Sequence, residues 1–501
     1  MSRRLCCAFA LSSIVALAFS GCSLAPRYER PANPAADRYP AYSGLPPGNA
    51  TAGAVTSSVQ VAADLGWRQF FRDPQLKDLI EVALANNRDL RVAIERVEAA
   101  RAQYGITQSD RWPTIGVGAQ GSIIRYPADI RAGGASAPSV SRSVLAGVGM
   151  TAFELDFFGR LKNLSEAAYQ QVLATDQARR SVHINLVAQV AEAYFRLRAA
   201  QEQYQLVRKT LVSDRQSYDL VKTRFDNGVA SSLDLNQAES QLNTAQADLQ
   251  TTLRNQGQAG NALLLLVGTR VLPDLAASMP FERDRLVSAV PVGLPSQLLE
   301  RRPDIVEAED QLRAANASVG AARAAFFPHI SLTGLLGFGS NQLAGLFGAQ
   351  NHYWSLAPSV QIPFLSGAVI NNLALAKANK KIAVSQYEKS VQTAFREVAD
   401  ALAGEATYSR QLDALRALQK TTQATLDLAR LRYRTGVDSF LQVQTAEVNL
   451  YAVQSSLLQT GLDSLLNRID LYAALGGGWL ADSASPIASA PIETAGGAPR
   501  R

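Results

Sequence analysis

Cysteine is nearly missing from this chain of 501 residues: the three present are Cys6, Cys7 and Cys22. The rest of the chain can build neither a disulfide framework nor a thiolate metal site. Histidine is as scarce, with only His183, His329 and His352, and no two of them stand at metal-ligand spacing. A zinc site is therefore not expected, and three methionines give no relay for soft metals. His183 is expected on a helix surface, and His329 and His352 beside strands. Long apolar runs are absent too. "ALLLLVG" at 262–268 falls well short of the roughly 18 residues a spanning helix needs. Any bilayer crossing must then use strands closed into a barrel. A strong charge imbalance is also missing: the formal net charge is +6, without the basic concentration of a nucleic-acid binder.

Catalytic motifs are equally thin. There is no P-loop and no G-x-S-x-G elbow. "GVGAQG" at 116–121 spells G-x-G-x-x-G. A dinucleotide loop needs a strand before it and a helix start after it. Here period-two alternation continues through the glycines, so they read as small residues on a strand. No cofactor is called for.

What is present begins at the N-terminus. Arg3 and Arg4 precede an apolar stretch from Leu5 to Ala18, and Ser20-Gly21 precede Cys22. This is the pattern of a secretory leader over 1–21. The Cys after Ser-Gly resembles a bacterial lipobox, which implies acylation at Cys22. Phe19 departs from the usual Leu or Val of that motif, and the bland alternative is ordinary secretion with an incidental cysteine. Ser23, by the same resemblance, fits sorting to the outer membrane. Residues 22–63 are rich in Pro, Ala, Gly and Ser and read as an extended tether.

From 74 to 110 apolar residues recur at helical spacing, including Leu76, Leu79, Ile80, Ala83, Leu90, Ile94 and Val97. Ile115, Val117, Ala119 and Ile123 then alternate with small or polar residues, as in a strand over 114–124. A second strand over 143–155 alternates less cleanly. From about 160 to 226 a seam at alternating threes and fours, without proline, predicts one helix roughly 100 Å long at 1.5 Å per residue. A shorter helix follows Gly228 and runs to Gly268.

The pattern then repeats. Residues 301–340 match 87–122, strands are expected at 329–339 and 353–364, and a second long helix starts near 369. Gly159 to Gly228 and Gly367 to Gly436 both span 69 residues; Gly228 to Gly268 and Gly436 to Gly476 both span 40. Pro113 to Gly159 spans 46, but Pro328 to Gly367 only 39. Equal helices with unequal strand loops fit helices in register and hairpins free to vary at a surface. Four strands cannot close a barrel, since about eight is the smallest closed number, so an oligomer is implied.

The phrases "GLPSQLLERRPDI" (293–305), "FELDFFGRL" (153–161), "LYAALGGGW" (471–479) and the paired turns "NGVASSLDLNQAE" and "TGVDSFLQVQTAE" together resemble the TolC-like outer-membrane efflux proteins, in their lipoprotein branch serving resistance–nodulation–division pumps. The resemblance implies an internally duplicated α+β membrane protein. It would be a homotrimer with a twelve-stranded β-barrel, four strands per protomer, continuous with a long periplasmic α-helical barrel. One efflux repeat would cover 64–268, a connector 269–294, a second repeat 295–480 and a flexible tail 481–501. The implied role is a passive exit duct for drugs or other small toxic compounds. Its partners would be a periplasmic adaptor, an inner-membrane transporter and, through the acyl anchor, membrane lipid; no nucleic acid is expected.

The resemblance also places a gate at the two turns. Gly228 and Gly436 would mark adaptor-docking tips, although each is also explained as a glycine at a helix end. Tyr433, Arg434 and Asp438 match positions making constraining polar links, and Leu441 matches an apolar constriction. Gln442 and Thr445 stand where relatives carry aspartates, so the usual carboxylate ring is not available; Asp234 is the remaining acidic candidate. "ERRPD" (300–304) is a solvated helix start or, by the resemblance, a structural motif. Other readings are metal-ion or protein export on the same fold, a structural coiled-coil lipoprotein, and a periplasmic enzyme. The last is disfavoured by the missing catalytic constellation.

Overall fold

A computed structural model describes residues 23–40, 64–131, 138–271, 286, 295–364 and 366–481. The leader, Cys22, residues 41–63 of the tether, most of the connector and residues 482–501 of the tail lie outside the described residues. Contacts divide the chain into two compact units. The first comprises Met1–Ala32, Arg96–Asp176 and Glu307–Glu388; the second comprises Asn33–Glu95, Gln177–Val306 and Lys389–Arg501. Each unit draws on both sequence repeats.

The helices are α1 (Trp67–Phe70), α2 (Pro74–Asn86), α3 (Arg88–Ser109), α4 (Arg160–Asp226), α5 (Ser232–Val267), α6 (Pro295–Arg301), α7 (Pro303–Ala324), α8 (Gly367–Arg434) and α9 (Phe440–Ala474). The strands are β1 (Ile115–Arg125), β2 (Val140–Leu155), β3 (His329–Ser340) and β4 (His352–Gln361). The two long helices α4 and α8 run for 67 and 68 residues, as the glycine spacing predicts. The helical stretch expected over 74–110 is instead two helices. It breaks at Asn87, whose backbone is extended. The Asn87 side chain accepts from the Leu90 amide at 3.0 Å and donates to the Leu266 carbonyl at 2.9 Å. One asparagine thus caps the second helix and ties it to α5, a role that periodicity cannot reveal.

In the first unit the four strands form one antiparallel sheet in the order β1-β2-β3-β4. Val117, Val148, Leu336 and Trp354 pair in one row across all four strands. They are 86%, 47%, 69% and 76% exposed, so an apolar face lies uncovered in the single chain. The opposite face carries Gly118, Gly147 and Gly337 in one row, and Ser122 bonds Ser143 through their hydroxyls at 2.8 Å. Gly147 and Gly337 lie too close for either to accept a Cβ.

The unclean alternation of β2 has a cause. Between Met150 and Phe153 the register slips by a β-bulge. Ala152 there takes a positive φ of 47°, and its amide donates to Thr333 Oγ1 at 3.1 Å. A bulge shifts the inside–outside phase by one residue. Phe153 and Leu155 therefore join the apolar face, while Glu154 pairs opposite Ser331. β4 ends at Gln361, short of the expected 364, because Pro363 follows. Pro358 lies on β4, the last strand of the sheet among the described residues, and gives up one ladder bond there.

The described part of the tether, 23–40, is docked rather than loose. In the first unit Asn316 donates to the Pro26 carbonyl at 2.8 Å, and Ser23 donates to Asn163 Oδ1 at 2.8 Å. Glu309 accepts from Tyr28 at 3.0 Å, from Arg30 at 2.7 Å and from Arg313 at 2.7 Å. Gly320 is required because Ala25 lies where its Cβ would stand, at 2.7 Å. In the second unit Tyr39 stacks on Phe395 at 5.2 Å.

The second unit is held by aromatic and ionic packing. Phe70 stacks on Tyr472 at 3.9 Å, with both rings buried. Arg302 of the "ERRPD" phrase is buried: it bonds Asp304 at 2.6 Å, Glu397 at 2.8 Å and the Ala474 carbonyl at 2.9 Å. That makes it a fastener between the start of α7, α8 and the end of α9, not a solvated helix start. His183 also departs from expectation. Its ring meets the Trp479 ring edge-on at 5.0 Å instead of lying on a helix surface. Burial first, and Arg179 second, push its pKa down to about 4, so it stays neutral.

Candidate functional site

Both helix turns lie in the second unit, and they end α4 and α8 by the same backbone device. Gly228 and Gly436 take φ of 73° and 77°. The Val229 amide bonds the Arg224 carbonyl at 2.8 Å, and the Val437 amide bonds the Arg432 carbonyl at 2.9 Å. This is a left-handed helix stop, which glycine makes without steric cost.

Beneath the turns a shared apolar layer joins four helices. It contains Val221 of α4, Ala238 of α5, Leu426, Ala429 and Tyr433 of α8, and Phe440, Val443, Ala446 and Leu450 of α9. Tyr433 packs against Phe440 at 5.5 Å. The Arg224 guanidinium sits over the Tyr433 ring at 4.7 Å and donates to the Tyr433 carbonyl at 2.9 Å. Arg224, which no sequence motif singles out, is thus the residue that crosses from one turn to the other.

Most of the expected gate residues have partners within the protomer. Asp438 forms a two-pronged pair with Arg432, at 2.5 and 3.2 Å. Its partner is thus Arg432, two residues before Arg434. Arg434 is exposed, and so is Leu441 at 49%. The buried Tyr433 hydroxyl has no hydrogen-bond partner among the described residues. Gln442 and Thr445 are both on α9, and the Thr445 hydroxyl bonds back to the Leu441 carbonyl at 2.8 Å. Asp234 is engaged locally: it closes a capping box with Ser231, accepting from its hydroxyl at 2.8 Å and its amide at 3.2 Å.

One cluster went unseen in the sequence. Asp214 of α4 is only 2% exposed and Glu447 of α9 only 7%. Arg430 of α8 reaches Glu447 at 2.7 Å and Ser213 at 2.5 Å, while Ser217 donates to Glu447 at 3.2 Å. The α4 members stand more than two hundred residues from Arg430 and Glu447, so no local signal marks them. Arg468 and Glu405 form a second buried pair at 2.6 Å. No group of three or more His, Cys, Asp or Glu able to hold a metal occurs among the described residues. No described helix is long and apolar enough to cross a membrane.

The sequence matches the outer membrane efflux protein family over residues 79–269 and 294–477. It is 41% identical over 484 residues to the toluene efflux pump outer membrane protein TtgC of Pseudomonas putida, covering 96% of this chain and 98% of that protein. A crystal structure of a membrane protein from Pseudomonas aeruginosa superposes with a TM-score of 0.83 at 41% identity, covering 92% of this chain and 98% of the other. The open state of the Neisseria gonorrhoeae MtrE outer membrane channel gives a TM-score of 0.80 at 36% identity, over 93% of this chain and all of that one (100%).

Proposed function

We propose that this chain, which belongs to the outer membrane efflux protein family, is the passive exit duct of a tripartite efflux pump. The observation that carries the reading is the sheet. One face is apolar and exposed across all four strands, and β1 and β4 are its two edges among the described residues. In a bilayer every strand edge must be paired. With β1 and β4 antiparallel, β4 of one copy can continue onto β1 of the next, and three copies close twelve strands.

The long helices then form the periplasmic part, with the turns at Gly228 and Gly436 as its tips. A periplasmic adaptor meets those tips and an inner-membrane transporter supplies the energy. Acylated Cys22 adds a lipid anchor. The cargo is small toxic compounds, supported by the toluene named for the Pseudomonas putida relative. The gate comprises Leu441 as constriction, with Tyr433, Arg434 and Asp438 as polar restraints; Gln442 and Thr445 replace an acidic ring.

Conductance of the purified full-length protein in planar bilayers tests this. Small closed-state current should rise when Arg434→Ala and Asp438→Ser are combined. Silence from both proteins would sink the duct reading. Leu441→Ala should leak more than Thr445→Ala, and equal leakage would remove Leu441 from the constriction.

A further inference from the structure

The cluster around Asp214 has a charge deficit that the duct reading does not use. Ser213, Asp214 and Ser217 lie within about one turn of α4, with Arg430 of α8 and Glu447 of α9 against them. Gln241 of α5 faces Asp214 as well. The cluster therefore draws a residue from each of the four helices below the tip. Two carboxylates share one guanidinium. Glu447 Oε1 takes the bonds from Arg430 and Ser217. Glu447 Oε2 is buried with no hydrogen-bond partner among the described residues, and the buried Asp214 carboxylate has the neutral Gln241 amide beside it rather than a cation of its own.

Asp214 and Glu447 are among the residues lining a cavity of about 950 Å³, whose other charged lining is Arg430, Glu202, Lys209 and Arg416. Glu447 Oε2 and both Asp214 oxygens nevertheless each have less than 1 Å² of accessible surface. A cation with a hydration shell or an organic amine cannot reach them. Burying an unbonded polar group is already costly; an unpaired carboxylate costs more, and takes up a proton instead. Only a proton fits the space and supplies the missing charge.

We propose that Asp214 and Glu447 hold one proton between them, and that this proton latches α4 to α9 below the gate. The bound proton sits on Asp214 beside the Glu447 carboxylate, which leaves the layer neutral: one acid, one carboxylate, one guanidinium. Its release leaves a net negative charge in a dry layer, and that charge is relieved when the helices part and water enters. Opening therefore releases one proton to solvent, and closing takes one up. The consequence for current rests on the duct reading; the proton itself does not.

Burial first, and the neighbouring Glu447 second, push the Asp214 carboxyl up to about 7, with Gln241 and Arg430 pulling weakly the other way. In the open, wet state the carboxyl returns to about 4. Between those values each rise in pH favours opening; above about 7 both states are ionised and the preference levels off.

Two measurements on the full-length trimer decide it. Infrared spectra should show a protonated carboxyl at about pH 5 that disappears with a midpoint of about 7. The component with a midpoint of about 7 should be missing in Asp214→Asn, leaving, among the described residues, only Asp310 and Asp470, which burial raises to about 6, and that component's midpoint should fall in Glu447→Gln. Opening frequency in bilayers should rise about 50-fold from about pH 5 to about pH 7 and flatten above, and Asp214→Asn should be flat throughout. A carboxyl band unchanged in Asp214→Asn, or a midpoint near 4 in the wild type, overturns the shared proton. An opening curve in Asp214→Asn identical to that of the wild type overturns the latch. If no protein conducts at any pH, the duct reading fails, and the infrared band still rules on the proton.

Discussion

The two helix turns share a backbone and differ in almost everything attached to it. Both stop their helix at a left-handed glycine and both restart within four residues. The first restarts through its own side chains: Ser231 and Asp234 cap each other's backbone in a reciprocal box. The second has Ser439 at the equivalent place with no side-chain cap, and holds its loop by the Arg432–Asp438 pair instead. The first presents Ser232 where the second buries Phe440. The first turn thus caps its own restart, while the second depends on what packs beneath it and on a surface ion pair. Duplication preserved the reach of the hairpins and let their stabilisation diverge. The turn whose stability is borrowed from neighbouring helices is the one suited to respond when those helices move.

The largest test of that contrast is Phe440. Truncation to Ala removes a ring that is 2% exposed and packed on Tyr433, and should cost about 3–5 kcal/mol of local stability. Ser232→Ala, at the matching place in the first turn, should change little. Hydrogen exchange of the turn amides reads both locally without requiring two-state unfolding of a trimer. Similar losses in the two turns would end the distinction.

The glycines should behave alike. A Cβ added at Gly228 or at Gly436 would meet no atom within 4 Å, so only the backbone matters. Gly228→Ala and Gly436→Ala should each cost about 1–2 kcal/mol by the same exchange measurement. A large inequality would mean that one turn's glycine also serves a contact made elsewhere.

These features were unequally visible in the sequence. The ends of α4, α5 and α8 could be read closely, because glycine, the absence of proline and the 69- and 40-residue spacings act locally. The strand quartet was legible from alternation. The break at Asn87 was not, because an asparagine in a helical pattern looks like any exposed polar residue until its carbonyl partner on α5 is known. The bulge at Ala152 left only a blurred alternation. The docked tether was hidden for a different reason: its Pro- and Ala-rich composition resembles a loose linker, while its anchors Glu309, Asn316 and Gly320 come from α7. Asp214, Arg430 and Glu447 were hidden for the same reason as Asn87, since each looks like ordinary helix-surface charge.

Capping gives a smaller contrast. Ser231→Ala removes an acceptor for the Asp234 amide and half of the reciprocal box, and should cost about 1 kcal/mol. Ser439→Ala removes no side-chain bond of that kind and should stay within about 0.5 kcal/mol. A matching cost at Ser439 would show that its hydroxyl caps in the trimer after all.

The smallest expected effect is the ion pair itself. Arg432 and Asp438 are both solvent-facing, so salt should screen most of their attraction. The hydrogen bonds from Arg432 hold the Asp438 carboxyl below its ordinary range. Its contribution is therefore complete above the ordinary carboxylate pKa of about 4 and fades as pH falls through the lowered value. Asp438→Asn should slightly speed exchange in the second turn, by the same amount anywhere from about pH 5 to about pH 9, and the difference should shrink in high salt. That flat profile is the counterpart of the proton latch one layer below, whose effect turns over near neutrality. If Asp438→Asn instead produced a pH dependence centred near neutrality, the titrating group would belong to the turn, and the buried carboxyl of Asp214 would no longer be needed to explain it.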